Sequence, residues 1–279
     1  MEEQFSVAAR DGVSLPVDVP AAPPRLALWA LAGLLLGTYV LLQLLIPLPV
    51  LAVLIVNGNL RTQQQVVDFL ISENGIGLAL IASALAALAT VTLAVVWARA
   101  WRWLVPGSPF EMADWLAWRK PRRIRLWMVP LITLPFVFMV VVPISLLIGP
   151  AEVEPQLLLF SSPTLQIASS LVVTTVVPFA EEFIFRGALY NALLPAGEPD
   201  QPFWRRHLVP FLLTSLLFSL VHIPTGFLTA GSIVMILLLS LFLGALRAVS
   251  DSVQASIVGH VIWNIFGALS LILANTLPV

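Results

Sequence analysis

Apolar residues run along this chain in blocks long enough to cross a bilayer, separated by short polar connections, and not in the alternation of a half-buried strand. A hydrocarbon core of ~30 Å needs ~20 apolar residues of helix. Leu26 to about Val56 is apolar throughout, and Pro47 and Pro49 predict a helix ending near Ile46 with the remainder at the interface. Ile76 to Trp97 is a second span, and Leu126 to Ile148 a third that Pro130, Pro135 and Pro143 should kink. A fourth begins at Leu165, passes Phe179 and runs on into the charged stretch at Glu181. Leu208–Ile223, Ile233–Leu246 and Val253–Leu273 complete seven, and an eighth element has room in Val50–Val56 or Gln156–Phe160. The expected fold class is all-α, a polytopic membrane helix bundle of seven or eight transmembrane helices.

Composition strengthens this reading. Of the 279 residues 59% are hydrophobic and 10% charged, whereas a soluble domain carries about 25% charged residues. Most of the surface must therefore face lipid. A net charge of −1 gives no basic bias toward nucleic acid, and with no cysteine the chain has no disulfide, thiolate metal site or cysteine nucleophile. The first 25 residues are polar and proline-rich and lack the basic and apolar regions of a cleaved signal peptide, so they read as a tail. Lys and Arg concentrate between Arg99 and Arg125, while the Asn57–Gly75 connection holds only Arg61 and the Gly149–Thr164 connection none. The basic connection is then cytoplasmic. Counting outward, so are the N-terminus and the loop carrying Arg205 and Arg206, and a seven-span chain ends outside. Within the basic loop, Phe110 to Trp127 mixes Trp115, Trp118 and Trp127 with arginines and reads as an interfacial helix.

Ionisable side chains inside spans cost a few kcal/mol each on insertion scales, so each is a functional candidate. Here they are Glu181, Glu182, Arg186, His222 and His260, all on three helices of the C-terminal half. Glu182 and Arg186 are spaced i, i+4 with the acid first, the better order for an ion pair. Glu181 lies ~100° round the helix without such a partner, and a lone carboxylate in an apolar setting suits general acid–base work. An interfacial salt-bridge cluster fits the same three residues. His222 follows Phe218 by four on an apolar helix, ahead of the expected break at Pro224 and Gly226. His260 and Asn264, also i, i+4, share a helix face and are able to address one developing oxyanion. Ordinary polar contacts between helices are the alternative for both. For Glu181 and His222 to meet, the fourth helix must continue to about Leu194 or the fifth must be short and re-entrant.

In order, these residues are Glu181-Glu182-x3-Arg186-Gly187, Phe218-x3-His222 and His260-x3-Asn264. This trio resembles the pattern of the CPBP intramembrane proteases, also called the Abi or CAAX-protease family, over roughly residues 165–275. The resemblance implies a variable N-terminal set of spans over 26–160, after the 1–25 tail, and a catalytic core over 161–279. It implies an endopeptidase in which Glu181 activates water as general base with His222, His260 and Asn264 stabilise the oxyanion, and Glu182 and Arg186 support the geometry.

The expected partners are the lipid bilayer and a membrane-associated, prenylated or leader peptide substrate, with no nucleic acid; nothing in the sequence sets the oligomeric state. No cofactor is expected, although two histidines and a glutamate also match a zinc-dependent version, as the family's older description as metalloproteases implies. The rival class is a non-catalytic scaffold or immunity protein of the same fold. A bacterial inner membrane is the expected location, a thylakoid or plastid membrane the alternative. The Ala196–His207 loop, with Gly197, Pro199 and Pro202, reads as an ordinary connection or a gate.

Overall fold

The computed structural model describes residues 23–148, 159–195, 201–222 and 230–276. The 1–22 stretch, Pro224 and Gly226, most of the Gln156–Phe160 segment, and Gly197 and Pro199 lie outside the described residues. Joined where consecutive, the helical segments make nine helices among the described residues: α1 (Arg25–Val56), α2 (Gln63–Leu70), α3 (Glu73–Leu104), α4 (Met112–Leu116), α5 (Met128–Ile148), α6 (Pro163–Leu193), α7 (Phe203–His222), α8 (Ala230–Ser250) and α9 (Val253–Thr276). Six of them, α1, α3, α5, α6, α8 and α9, are long and apolar enough to cross a membrane. The protein is a multi-pass membrane protein. Helix α7 is the remaining span expected from sequence; Arg205, Arg206 and His207 lower its mean hydropathy, yet it exposes Leu208, Leu212 and Leu216 outward.

Local sequence sets the helix starts. Thr62 caps α2 in a box with Gln65, Ser72 Oγ accepts from Gly75 N to start α3, and Ser162 does the same for Leu165 N at the head of α6. The expected helix end near Ile46 is present as a one-residue interruption between Arg25–Leu45 and Pro47–Val56; Pro47, as the first residue of the next turn, needs no amide donor, so the two segments form one 32-residue run. The Val50–Val56 segment thus belongs to the first span and is no separate element.

Contacts between distant loops define two ends of the bundle. Ser162 Oγ donates to Glu73 Oε1 at 2.6 Å on one side. On the other, Arg25 reaches the Leu194 carbonyl, and Arg122 N donates to Ser250 O at 3.0 Å. Among the described residues every Lys and Arg except Arg61 and the buried Arg186 sits at or near that second end.

Lipid offers no hydrophobic drive between helices, so close packing does the work. Ala86, Ala87, Ala94 and Ala98 let α1 lie against α3 through Leu28, Leu31 and Leu35. The outside is apolar, with Leu146 and Ile167 76% and 73% exposed.

The helix expected over 110–127 is confined to the five residues of α4. Ala117, at φ +51°, ends it in the left-handed region. Trp115 is fully buried, in ring contact with Trp97, Trp101 and Phe110. The residues after it lie along the α8–α9 turn, where Val253 N donates to Ala117 O and Ser252 Oγ to Arg119 O. Backbone pairing with that turn outcompetes continuation of a helix.

Candidate active site

Helix α6 carries the glutamates. It stays helical past Pro178 to Leu193 because two wide turns, Val172–Val176 and Phe183–Leu189, adopt i→i+5 geometry. Glu181 therefore stands twelve residues before Leu193, about 18 Å along the helix. This is the first of the two ways in which Glu181 and His222 were expected to meet.

Each wide turn places a carbonyl where a C-terminal helix donates to it. Asn264 Nδ2 donates to Val173 O at 2.8 Å, and Arg247 Nε donates to Arg186 O at 2.9 Å. Gly187 sits inside the second turn against α4, where a Cβ would stand 3.3 Å from the Leu116 carbonyl oxygen and 3.2 Å from its Cδ2. A side chain at 187 would push the glutamate helix off α4.

The expected ion pair is present. Arg186 Nη1 donates to Glu182 Oε1 at 3.0 Å, both side chains fully buried. Arg186 Nη2 donates to Ser240 O and Oγ on α8 at 2.9 and 2.7 Å. Its guanidinium carbon lies 4.5 Å from the Phe218 ring centre, which gives the aromatic of the Phe-x3-His motif a role. His260 Nδ1 is 2.9 Å from the same Glu182 Oε1. The run Ser240–Arg186–Glu182–His260 is continuous across three helices.

Glu181 is also buried, and both histidines face it. His222 Nε2 lies 3.7 Å from Oε1 and His260 Nε2 3.7 Å from Oε2. His222 Nδ1 is 2.6 Å from the Phe218 carbonyl and His260 Nδ1 faces a carboxylate. Both acceptors hold the imidazole proton on Nδ1 and turn Nε2 toward Glu181. The structure thus brings Glu181, Glu182, Arg186, His222 and His260 together. Asn264 shares α9 with His260 but spends one of its two N–H donors on Val173 O.

Sequence reasoning missed three contributors. Tyr39, on α1, donates its hydroxyl to Glu181 Oε1 at 3.2 Å, so a span of the first half does contribute to the cluster. Its only signal was a phenol in a mostly apolar helix. Ser240 was one hydroxyl among many apolar residues of α8. Arg247, one residue past the expected sixth span, is fully buried. It donates to Asn191 Oδ1 at 2.7 Å and to Asp251 Oδ1 at 3.2 Å, and lies 4.8 Å from the Tyr190 ring. The Arg247-x3-Asp251 spacing was legible but outside the expected motifs.

The zinc alternative meets a donor set already committed within the protein. Glu182 is held by Arg186 and His260, and Glu181 Oε1 by Tyr39. Among the described residues no three His, Asp or Glu side chains are grouped so as to hold a metal ion. An open apolar groove lined by Leu88, Val91, Thr175, Val176 and Phe179 runs between α3 and α6, close in sequence to Glu181.

Residues 163–266 match the family model of type II CAAX prenyl endopeptidases, Rce1-like. No curated protein and no solved structure matches the chain significantly.

Proposed function

Residues 163–266 make this chain a member of the CPBP/CAAX protease family, and from that premise we propose that it is an intramembrane endopeptidase driven by glutamate-activated water. The observation that carries the mechanism is the convergence of His222 Nε2 and His260 Nε2 on the two oxygens of one buried carboxylate, Glu181.

Charge balance sets the resting state. Two buried carboxylates face one guanidinium, and an uncompensated charge in an apolar interior is costly. One further proton, shared among Glu181, His222 and His260, neutralises the cluster. With that proton on His260, Glu181 is ionised and His260 Nε2–H is a donor.

Water held between Glu181 and His222 gives a proton to Glu181 while its oxygen bonds to the substrate carbonyl carbon. The carbonyl π pair moves onto oxygen, where His260 Nε2–H and the second N–H of Asn264 stabilise it. Collapse of the intermediate breaks the C–N bond, and Glu181 returns its proton to the departing amine. Glu182 and Arg186 hold His260 in register. The committed donors favour this route over a metal-bound water, and no step needs a metal.

The substrate we propose is a membrane-associated peptide. The basic end of the bundle faces the cytoplasm, which puts the N-terminus there, and a bacterial inner membrane is the proposed setting.

The test is cleavage of a peptide library by the purified protein and by Glu181→Gln, with and without chelator. We expect Glu181→Gln to lower the rate by about 10²–10⁴-fold and chelator to leave it unchanged. Loss of cleavage on chelation would make the histidines metal ligands. Absence of cleavage by a folded, inserted wild type would leave a scaffold of the same fold.

A further inference from the structure

We propose that Tyr39 is a positioning residue that fixes the plane of the Glu181 carboxylate. The terminal torsion of a glutamate is broad and nearly two-fold, so burial alone does not select which oxygen faces which neighbour. At Glu181 the choice matters, because His222 faces Oε1 and His260 faces Oε2. The Tyr39 hydroxyl approaches Oε1 to 3.2 Å, closer than either histidine at 3.7 Å. A donor on Oε1 keeps that oxygen toward His222 and the water, and Oε2 toward His260.

Tyr39 reaches this position from outside the matched segment. It lies on α1 and is itself buried, in a helix that is otherwise apolar along most of its length. Phenylalanine would fill the same space without a hydroxyl to satisfy, and a buried phenol calls for a partner. One turn further on, Gln43 accepts from Ser83 Oγ of α3 at 3.3 Å and donates to the Tyr39 carbonyl at 3.5 Å. This polar strip pins the inner face of α1 to α3 at the depth of Glu181. The phenol keeps its own proton and orients the base.

The inference reaches proteolysis only through the reading of Glu181 as base, so the experiment has two arms. In the first, kcat and KM are measured for Tyr39→Phe and for proteins carrying fluorinated tyrosines at position 39, with helicity and thermal unfolding as folding controls. Losing a hydrogen bond to a charged group should lower kcat about 10- to 100-fold with KM unchanged. Ring fluorination, which alters phenol acidity at nearly constant size, should change kcat in a graded way. A purely packing role would leave kcat flat across the fluorinated series, and that result, or a Tyr39→Phe protein as fast as wild type, overturns the inference.

In the second arm, the ¹⁹F resonance of 3-fluorotyrosine at position 39 is compared before and after Glu181→Gln. A shift supports the contact even if the wild type cleaves nothing, in which case the protease reading fails and the positioning of Glu181 stands. An unmoved resonance overturns the contact whatever the activity.

Discussion

At Glu182 a single carboxylate oxygen serves two cationic or donating groups, Arg186 Nη1 at 3.0 Å and His260 Nδ1 at 2.9 Å. With so little water nearby, removing one member strands the others. Breaking a buried pair from one side costs about 3–5 kcal/mol. Arg186→Met should therefore lower stability in detergent by about that amount, and Glu182→Gln combined with Arg186→Met should recover part of the loss. Thermal unfolding of the two singles and the double, read as a mutant cycle, checks this; strictly additive losses would remove the pair from the account. At this scale the sequence was informative about which residues pair. The i, i+4 spacing of Glu182 and Arg186 was readable directly, whereas the tie from Glu182 to His260 links residues 78 positions apart and depends on how α6 and α9 pack.

Helix α6 shows what a continuous apolar pattern conceals. Its sequence marks a span and a proline, but the wide turns at Val172–Val176 and Phe183–Leu189 are stabilised by partners on other helices, Asn264 and Arg247. Gly187 is the exception, since a glycine one residue past the motif arginine signals a close approach, and here the approach is to the Leu116 backbone. Gly187→Val should overpack this contact, at a cost of about 1–3 kcal/mol. The change should also loosen Trp115, whose fluorescence would report its exposure, although the other tryptophans call for a background in which they are replaced. A variant with wild-type unfolding and emission would show that α6 and α4 do not pack tightly at this glycine. The tryptophan-rich loop misled in the opposite direction. Trp and Arg in alternation suit an interface, but Trp115 had a ring-lined slot between α3 and α6 to fill, and burial there offered more contact area than lying on the surface.

Across the whole molecule, the basic end is organised by one carboxylate. Asp251 occupies the α8–α9 turn at φ +53° and pairs with Arg247, Arg119 and Arg122 at 3.2, 3.6 and 3.5 Å. Burial pushes its carboxyl up, but the guanidiniums of Arg247 and Arg119 outweigh this and hold it below the ordinary 3.8. A group depressed on folding contributes stability that is complete above its unfolded value and is lost as pH falls through the folded one. The protein should thus lose about 1–3 kcal/mol on acidification below about pH 4. Asp251→Asn, which tolerates the left-handed backbone equally well, should lose it already at neutral pH and flatten the acid dependence. Protease cutting between Arg119 and Arg125 would report release of the loop. Equal acid sensitivity in wild type and Asp251→Asn would assign the effect elsewhere.

The amino-acid pattern by itself determined that this is a helical membrane protein, where its spans lie, which end is basic, and which few ionisable residues the membrane tolerates. These follow because lipid penalises each exposed charge and each unpaired backbone group locally, residue by residue. Tertiary structure alone decided that Tyr39 joins Glu181, that Asn264 and Arg247 brace the wide turns, and that α6 continues past Pro178 to set the depth of Glu181. These contacts span most of the chain, and their energy exists only once the helices have chosen their neighbours.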